Sequence, residues 1–80
     1  MNTRDLSHIK EPQKVIVDKV EGAAAVRIME MGITPGTELE VIRTAPFEFP
    51  VEIRVRGHLL TLRKPEASCI YLKEPTEATN

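Results

Sequence analysis

The sequence predicts a mainly β fold with one short helix, in which about five strands close into a small β-barrel. Apolar residues alternate with polar ones in several short runs, and proline or glycine turns separate these runs. The chain has 80 residues, which is one small domain, and an open sheet of this size would leave its edges exposed. We therefore expect one domain over residues 1–80, with a core over about 6–73 and a polar tail at 74–80.

The first twenty residues predict one helical turn followed by one strand. Leu6 and Ile9 are three residues apart, so a single turn places both on one surface. Pro12 favours an extended chain before the next element. The β-branched residues 15–17, continuing to Val20, predict a strand that is buried on both faces.

A short helix is predicted between Gly22 and Met31, over about ten residues. Ala24, Ile28 and Met31 recur at the helical spacing i, i+4, i+7 and predict one apolar stripe. Gly32 follows the last apolar residue, where helices commonly end in a left-handed conformation. A helix this short depends on tertiary packing for its stability.

Residues 34–37 (Thr-Pro-Gly-Thr) predict a type II turn, because proline presets φ at the second position and glycine accepts a positive φ at the third. Leu39 and Val41 then alternate with glutamates, which predicts a half-buried strand. The segment 45–50 has prolines near both ends and predicts a loop, because proline is excluded from central strands.

The segment from Val51 to Lys64 predicts a β-hairpin with Gly57-His58 as its two-residue loop, of type II′ with glycine first. This loop would place apolar pairs on one face and an opposite-charge pair on the other: Val55 with Leu60, Ile53 with Leu62, and Glu52 with Arg63. A slip of one residue would reverse the faces, so the faces of the hairpin are strongly specified.

The last part of the core predicts a turn and a final strand. Residues 65–68 read as a turn or one helical turn, and residues 69–73 as a strand. Ile70 and Leu72 would point inward, which leaves Cys69 on the opposite face.

Charge and composition argue against several classes of protein. The 11 Lys and Arg residues nearly balance the 12 Asp and Glu residues, for a net charge of −1. Proteins that bind nucleic acid through its phosphates need a clear basic excess. No apolar run is long enough to span a membrane. One cysteine and a polar N-terminus without a signal peptide predict a cytoplasmic protein with no internal disulfide.

Neither a catalytic set nor a metal site is predicted. Asp5, Ser7 and His8 are the residue types of a hydrolase triad, but three residues so close in sequence cannot converge on a rigid scaffold. A helix cap and solvated side chains explain them better. The residues with metal-ligand chemistry fall on separate elements without ligand spacing: His8, His58, Glu66 and Cys69. We therefore predict no enzyme activity, no bound metal and no cofactor.

Several segments in fixed order resemble the FeoA family, from Val15 to Lys73, and Leu6 and Ile9 match its looser N-terminal pattern. The segments that carry the resemblance are residues 27–36 (RIMEMGITPG), 39–42 (LEVI), 45–46 (AP), 51–57 (VEIRVRG), 62–67 (LRKPEA) and 70 (I).

The resemblance implies an SH3-like β-barrel, a cytoplasmic location and a role in bacterial ferrous iron transport. It implies one partner, the cytosolic nucleotide-binding part of the membrane transporter FeoB, and contact with the membrane only through that transporter. The same domain also occurs in iron-dependent repressors, where it packs on its own chain. A repressor-type, iron-responsive module is therefore an alternative. An activating or inhibitory effect on transport and the oligomeric state both stay open.

A protein-binding surface is the function that remains, and exposed aromatic residues are its first candidates. Phe47 and Phe49 flank Glu48, so in an extended chain both would point the same way. Their alternative is to fill one end of the barrel. The complete set of predicted partner-binding residues is Phe47, Phe49, Leu59 and Tyr71, with Arg27 and Glu30 as a polar rim whose other interpretation is a solvated pair.

A second class of function, nucleic-acid binding, rests on three arginines. Arg54, Arg56 and Arg63 would lie on the same outer face of the hairpin. A solvated, ion-paired face is the alternative, because Glu52 is expected opposite Arg63. With a pI near 6.1, the second interpretation is favoured and no nucleic-acid partner is predicted.

Overall fold

A computed structural model of the chain describes residues 4–44 and 50–73. Within these residues the chain forms six strands, two short α-helices and one 3₁₀ turn. In chain order they are β1 (Arg4–Asp5), the 3₁₀ turn (Leu6–His8), β2 (Gln13–Val20), α1 (Ala25–Glu30), β3 (Glu38–Thr44), β4 (Val51–Val55), β5 (His58–Leu62), α2 (Lys64–Ala67) and β6 (Ile70–Leu72). The mainly β prediction is confirmed, but there are six strands rather than five and two α-helices rather than one.

The six strands form one antiparallel sheet in the order β1-β6-β2-β3-β4-β5. Strand β2 pairs with β3 along its first half and with β6 along its second half, and the register shifts between Val17 and Lys19. This change of partner bends the sheet around its core. Among the described strands, β1 and β5 each have one neighbour, so the predicted closure into a barrel is not formed by hydrogen bonds.

The core lies on one face of this bent sheet. Alternate residues of β2, β3 and β4 point into it, together with residues of the 3₁₀ turn, α1 and β6. The most completely buried large side chains are Leu6, Ile28, Ile33, Leu39, Ile53, Leu62 and Ile70. No helix in residues 4–44 and 50–73 has the length and apolar character to cross a bilayer.

Strand β2 is buried on one face only, which corrects the prediction of two buried faces. Val15 and Val17 point into the core, whereas Ile16 is exposed. Ile16 lies opposite Glu38 of β3 on the outer face of the sheet. The run of β-branched residues therefore reflects strand propensity and does not report burial on both faces.

Helix α1 is shorter than predicted because the chain turns at residues 22–24 before the helix begins at Ala25. Gly22 has a φ of +117°, a conformation that side chains rarely adopt. Ile28 is completely buried, but Met31 is exposed, so the predicted apolar stripe is only partly correct. The end of the helix is confirmed, because Gly32 has a φ of +98° directly after the last turn.

The hairpin between β4 and β5 is confirmed, but its predicted loop and register are wrong. The loop is Arg56-Gly57, and both residues have positive φ, 52° and 82°, as a type I′ turn requires. The type II′ prediction placed Gly57 at the first loop position. In the structure Arg56 takes that position in a left-handed conformation, and Gly57 takes the second. Because the loop moves by one residue on each strand, the register moves by two and the faces stay as predicted.

The new register changes the partners of every residue in the hairpin. Ile53 lies opposite Leu60, and Val51 lies opposite Leu62. Glu52 faces Thr61, so the predicted pair with Arg63 does not form. Glu52 instead forms an ion pair of 3.4 Å with Arg43 of β3.

Three local predictions about turns can be compared with the structure. The type II turn is confirmed by the 3.0 Å hydrogen bond from Thr37 N to Thr34 O and by the positive φ of Gly36. The helical turn at α2 is confirmed as well. Cys69 was expected on the outer face of the last strand, but it precedes β6 and is buried beside Gly22.

Candidate interaction surface

Helix α1 carries two exposed apolar side chains, and a third follows directly after its end. Val26 is 68% exposed, and Met29 and Met31 are each 37% exposed. Val26 and Met29 are three residues apart, so they are neighbours on the helix surface. We call Val26 and Met29 the α1 surface, and leave out Met31, because residues two apart on a helix do not face each other. Adjacent exposed apolar side chains of this size are typical of surfaces that bind another protein.

The polar rim of the α1 surface is an ion pair between the two helices. An Arg27 guanidinium nitrogen lies 3.1 Å from Glu66 Oε2 of α2. The other carboxylate oxygen of Glu66 accepts a 2.8 Å hydrogen bond from the Arg63 backbone N–H, which caps α2. Arg27 therefore pairs with a residue far away in sequence and not with Glu30, which corrects the predicted Arg27–Glu30 pair.

The environment of Glu66 favours its ionised form. The hydrogen bond from the Arg63 backbone lowers the pKa of the Glu66 carboxyl below its ordinary value, and Arg27 lowers it further, while partial burial opposes both. The two helices are thus joined through a carboxylate that stays charged at neutral pH.

Arg56 holds the chain in place just after the end of α1. Its Nε donates to Gly32 O over 3.3 Å, and a terminal guanidinium nitrogen lies 3.5 Å from Thr37 Oγ1. The Thr37 hydroxyl also accepts a 3.2 Å hydrogen bond from the Thr34 backbone N–H. The end of α1, the turn before β3 and the hairpin turn are therefore held together by one polar network.

Leu59 and Tyr71, the other predicted partner-binding residues that the structure describes, lie on different strands of the sheet. Leu59 is 57% exposed on β5. Tyr71 on β6 is half-buried, and Lys19 Nζ lies 5.4 Å from the centre of its ring. Strands β2, β3 and β4 lie between β6 and β5 in the sheet. Phe47 and Phe49 lie outside the described residues.

The three arginines of the nucleic-acid alternative lie in three different environments. Arg54 pairs with Glu40 across the sheet at 3.2 Å. Arg56 lies in the hairpin turn and not on a strand face, which corrects the prediction, and the backbone N–H of Arg63 caps α2. Two further ion pairs cover the same outer face of the sheet, Lys14 with Glu38 and Arg43 with Glu52. Ion pairs therefore cover part of that face, but of the three arginines only Arg54 forms an ion pair with a described residue, and the expected Glu52–Arg63 pair is absent.

The cluster at the N-terminus is a cap. Asp5 Oδ1 accepts hydrogen bonds from both the backbone N–H and the hydroxyl of Ser7, and it lies 3.2 Å from His8 Nδ1. The serine therefore bonds to the carboxylate, whereas a nucleophilic serine would bond to the histidine. Within residues 4–44 and 50–73, no three His, Cys, Asp or Glu side chains come together as metal ligands.

Sequence reasoning missed Val26 and Met29 as candidates for a binding surface. The sequence does indicate such a surface, because α1 contains more apolar residues than one buried stripe can accommodate. The predicted helix of about ten residues assigns Met31 to the core and gives Val26 and Met29 no role.

Comparison with known proteins adds the family. A model of the FeoA domain matches residues 4–74. A protein of Porphyromonas gingivalis, a fusion of Fe(2+) transport protein A with the Fe(2+) transporter FeoB, is 31% identical over 70 residues that make up 85% of this chain. The chain spans 8% of the length of that protein.

Solved structures show the same fold. A FeoA-like protein from Clostridium acetobutylicum is 33% identical with a TM-score of 0.84, and the match covers 100% of this chain and 95% of that one. A FeoA from Stenotrophomonas maltophilia, solved with zinc and described as a prokaryotic SH3 domain protein, has a TM-score of 0.78 at 24% identity. That match covers 88% of this chain and 89% of the other, and at this identity it shows the fold alone.

Proposed function

The chain belongs to the FeoA family, and we propose that it is a non-enzymatic accessory protein of bacterial ferrous iron transport. Its partner in this proposal is the cytosolic part of a FeoB-like membrane transporter, so it acts in the cytoplasm and meets the membrane through that transporter. By the same family likeness we assign its bent sheet to the SH3-like barrels.

The observation that carries this proposal is the fused relative. In the P. gingivalis protein, a segment similar to this chain is joined covalently to the transporter FeoB. Two domains joined in one chain have a high effective concentration relative to each other. Such a fusion is therefore expected for domains that bind one another. A separate chain with the same fold would need a binding surface to reach the same position.

We assign that binding surface to α1. Val26 and Met29 supply exposed apolar area, and the Arg27–Glu66 pair borders it. Glu30 is exposed on the same helix. A central apolar contact bordered by charged groups is the usual arrangement of a protein–protein interface. Phe47, Phe49, Leu59 and Tyr71 stay predicted contributors to partner binding.

Binding to the purified cytosolic domain of a FeoB-like transporter tests the proposal. The titration is run without nucleotide, with GDP and with a non-hydrolysable GTP analogue. We expect Met29→Lys to weaken binding at least about tenfold, because it places a charge in the centre of the contact.

Ile16→Lys is the matched control, because Ile16 is also 37% exposed but lies on the outer face of the sheet. We expect it to bind like the wild type. A double variant, Phe47→Ala with Phe49→Ala, tests the aromatic loop separately. If the wild type binds in no nucleotide state, the proposed partner is wrong. If only the aromatic variant loses binding, the partner is right and the α1 assignment is wrong.

A further inference from the structure

Among the described residues, strand β5 forms an open edge of the sheet. It has five residues, His58 to Leu62, and contains no Asp, Glu, Lys, Arg or Pro. Charges and prolines are the features by which natural sheets protect their edges. In the described part of the chain β4 is its only neighbour. The other edge, β1, is two charged residues long.

The register with β4 decides which backbone groups of β5 point outward. In a hairpin with a two-residue loop, the residues that flank the loop form a hydrogen-bonded pair, and such pairs alternate along the strands. His58, Leu60 and Leu62 therefore bond to β4. The N–H and C=O groups of Leu59 and Thr61 point away from β4.

These outward groups have no partner among the hydrogen bonds of the described residues. The next N–H on the same side belongs to Arg63 and is already used, because it donates to Glu66. The open part of the edge is thus limited to two residues, and both of them are exposed.

We propose that a second copy of this chain pairs with β5 in antiparallel orientation, about a two-fold axis that passes beside Leu60. This register sets Leu59 opposite Thr61 of the second copy, and Thr61 opposite its Leu59. Both pairs are hydrogen-bonded pairs, so the N–H and C=O groups of both residues are satisfied in both copies. The edge is therefore complementary to itself.

The side chains fit the same register. Leu60 is half-buried against the core, and on the axis it meets Leu60 of the second copy in a non-hydrogen-bonded pair, where side chains approach most closely. On the outer face, Leu59, which is 57% exposed, packs beside Thr61 of the second copy. Because β5 carries no Asp, Glu, Lys or Arg, no such like charges meet across the axis.

The size of the contact sets its strength. Two five-residue strands bury much less surface than the roughly 1,200 Å² that stable interfaces need at minimum. The dimer is therefore weak, and its population rises with protein concentration between the micromolar and millimolar ranges.

Amide exchange of the wild-type chain, measured by NMR at several protein concentrations, tests the proposal without any substitution. We expect exchange of the Leu59 and Thr61 amides to slow at least tenfold as sedimentation shows the dimer to form. The Leu60 amide bonds to β4 and serves as the internal control, because it is protected at every concentration.

Thr61→Pro removes one outward N–H without touching a bond to β4, and prolines are tolerated at such edge positions. We expect this variant to stay monomeric at all concentrations while its thermal unfolding stays cooperative. Thr61→Val keeps the backbone donor and should dimerise like the wild type. The exchange measurement decides the question even if Thr61→Pro does not fold.

Three results would overturn the inference. The first is a wild type that stays monomeric at millimolar concentration with unchanged Leu59 and Thr61 exchange. The second is association that leaves these two amides unprotected. The third is protection that appears only when a transporter domain is added, which would assign the edge to that partner and not to a second copy.

Discussion

The two ends of the sheet are built in different ways. At the β1 end, two charged residues are followed by a 3₁₀ turn whose Leu6 is 1% exposed, and α2 packs against that turn. At the β5 end, a longer uncharged strand leaves Leu59 in solvent. Among the described residues, one edge is short and leads into a buried turn, and the other is longer and has no element but β4 packed against it. Within this part of the chain, the sheet is therefore protected from other strands at one end only.

The two ends also differ in how far apart in sequence their contacts lie. Backbone hydrogen bonds tie Glu21 to Cys69 and Lys73 to Ile16, which joins β2 and the residue after it to the chain around β6, far away in sequence. The β4–β5 hairpin depends mainly on local pairing around one tight turn. The β1 end therefore needs most of the chain to be folded, whereas the hairpin can form early because its loop is short.

The largest expected difference comes from removing one leucine at each end. Leu6→Ala leaves a cavity in the core and should lower the free energy of unfolding by about 3 kcal/mol. Leu59→Ala removes a solvent-exposed side chain and should cost less than about 0.5 kcal/mol. Urea unfolding at low protein concentration measures both. Equal losses would show that the two ends are covered alike and would break the comparison.

The next difference comes from the glycines at the two ends. A Cβ added to Gly22 would lie 2.7 Å from the buried Cys69 Sγ, in addition to the strain of its positive φ. Gly57 also has a positive φ, but a Cβ there would meet nothing within 4 Å. We expect Gly22→Ala to destabilise the fold by about 2 kcal/mol and Gly57→Ala by about 1 kcal/mol.

The double variant Gly22→Ala with Cys69→Ala separates two contributions to the loss of stability, the clash with the Cys69 thiol and the strain of the backbone at residue 22. If the thiol is the obstacle, the Gly22→Ala change should cost less in the Cys69→Ala background than in the wild type. An equal cost in both backgrounds would attribute the whole effect to the backbone conformation.

The smallest expected effect is electrostatic and depends on pH. The pKa of Glu66 is lowered in the folded chain, so its ionised form contributes stability that is complete above the ordinary carboxyl pKa of about 4.3. That contribution is lost as the pH falls below this value. Glu66→Gln should cost about 0.5 kcal/mol at pH 7 and should be nearly neutral at low pH.

Glu40→Gln is the control on the outer face of the sheet, where Glu40 of β3 pairs with Arg54 of β4. We expect its effect to be smaller than that of Glu66→Gln, because exposed ion pairs contribute little. Unfolding measured in a pH series compares the two variants. A larger pH dependence for Glu40 would place the stronger electrostatic contact on the outer face of the sheet and not between the two helices.

The sequence predicted the features that depend on local chemistry. The faces of the hairpin, the turn at residues 34–37 and the end of α1 at Gly32 follow from residue alternation and from glycine positions. The register of the hairpin did not follow, because it depends on Arg56 adopting a left-handed conformation. That conformation is uncommon for arginine, and the Arg56 contact with Gly32 supports it only in the folded chain.

The candidate surface was harder to predict than the fold. Arg27 and Glu66 are 39 residues apart in sequence, so no local pattern connects them. The exposure of Val26 and Met29 follows from the turn at residues 22–24, which shortens the helix and leaves one buried position at Ile28. The apolar residues of a short helix show that the helix can pack against a core. Only the tertiary structure shows which of these residues are buried.

The burial of Cys69 gives the molecule a natural reporter of local opening. This single thiol is 8% exposed, and its Sγ donates to Pro65 O over 3.3 Å, beneath the turn at Gly22. A thiol reagent reaches it only when the junction between α2 and β6 separates from that turn. The alkylation rate under native conditions therefore measures how often the covered end of the sheet opens, separately from global unfolding.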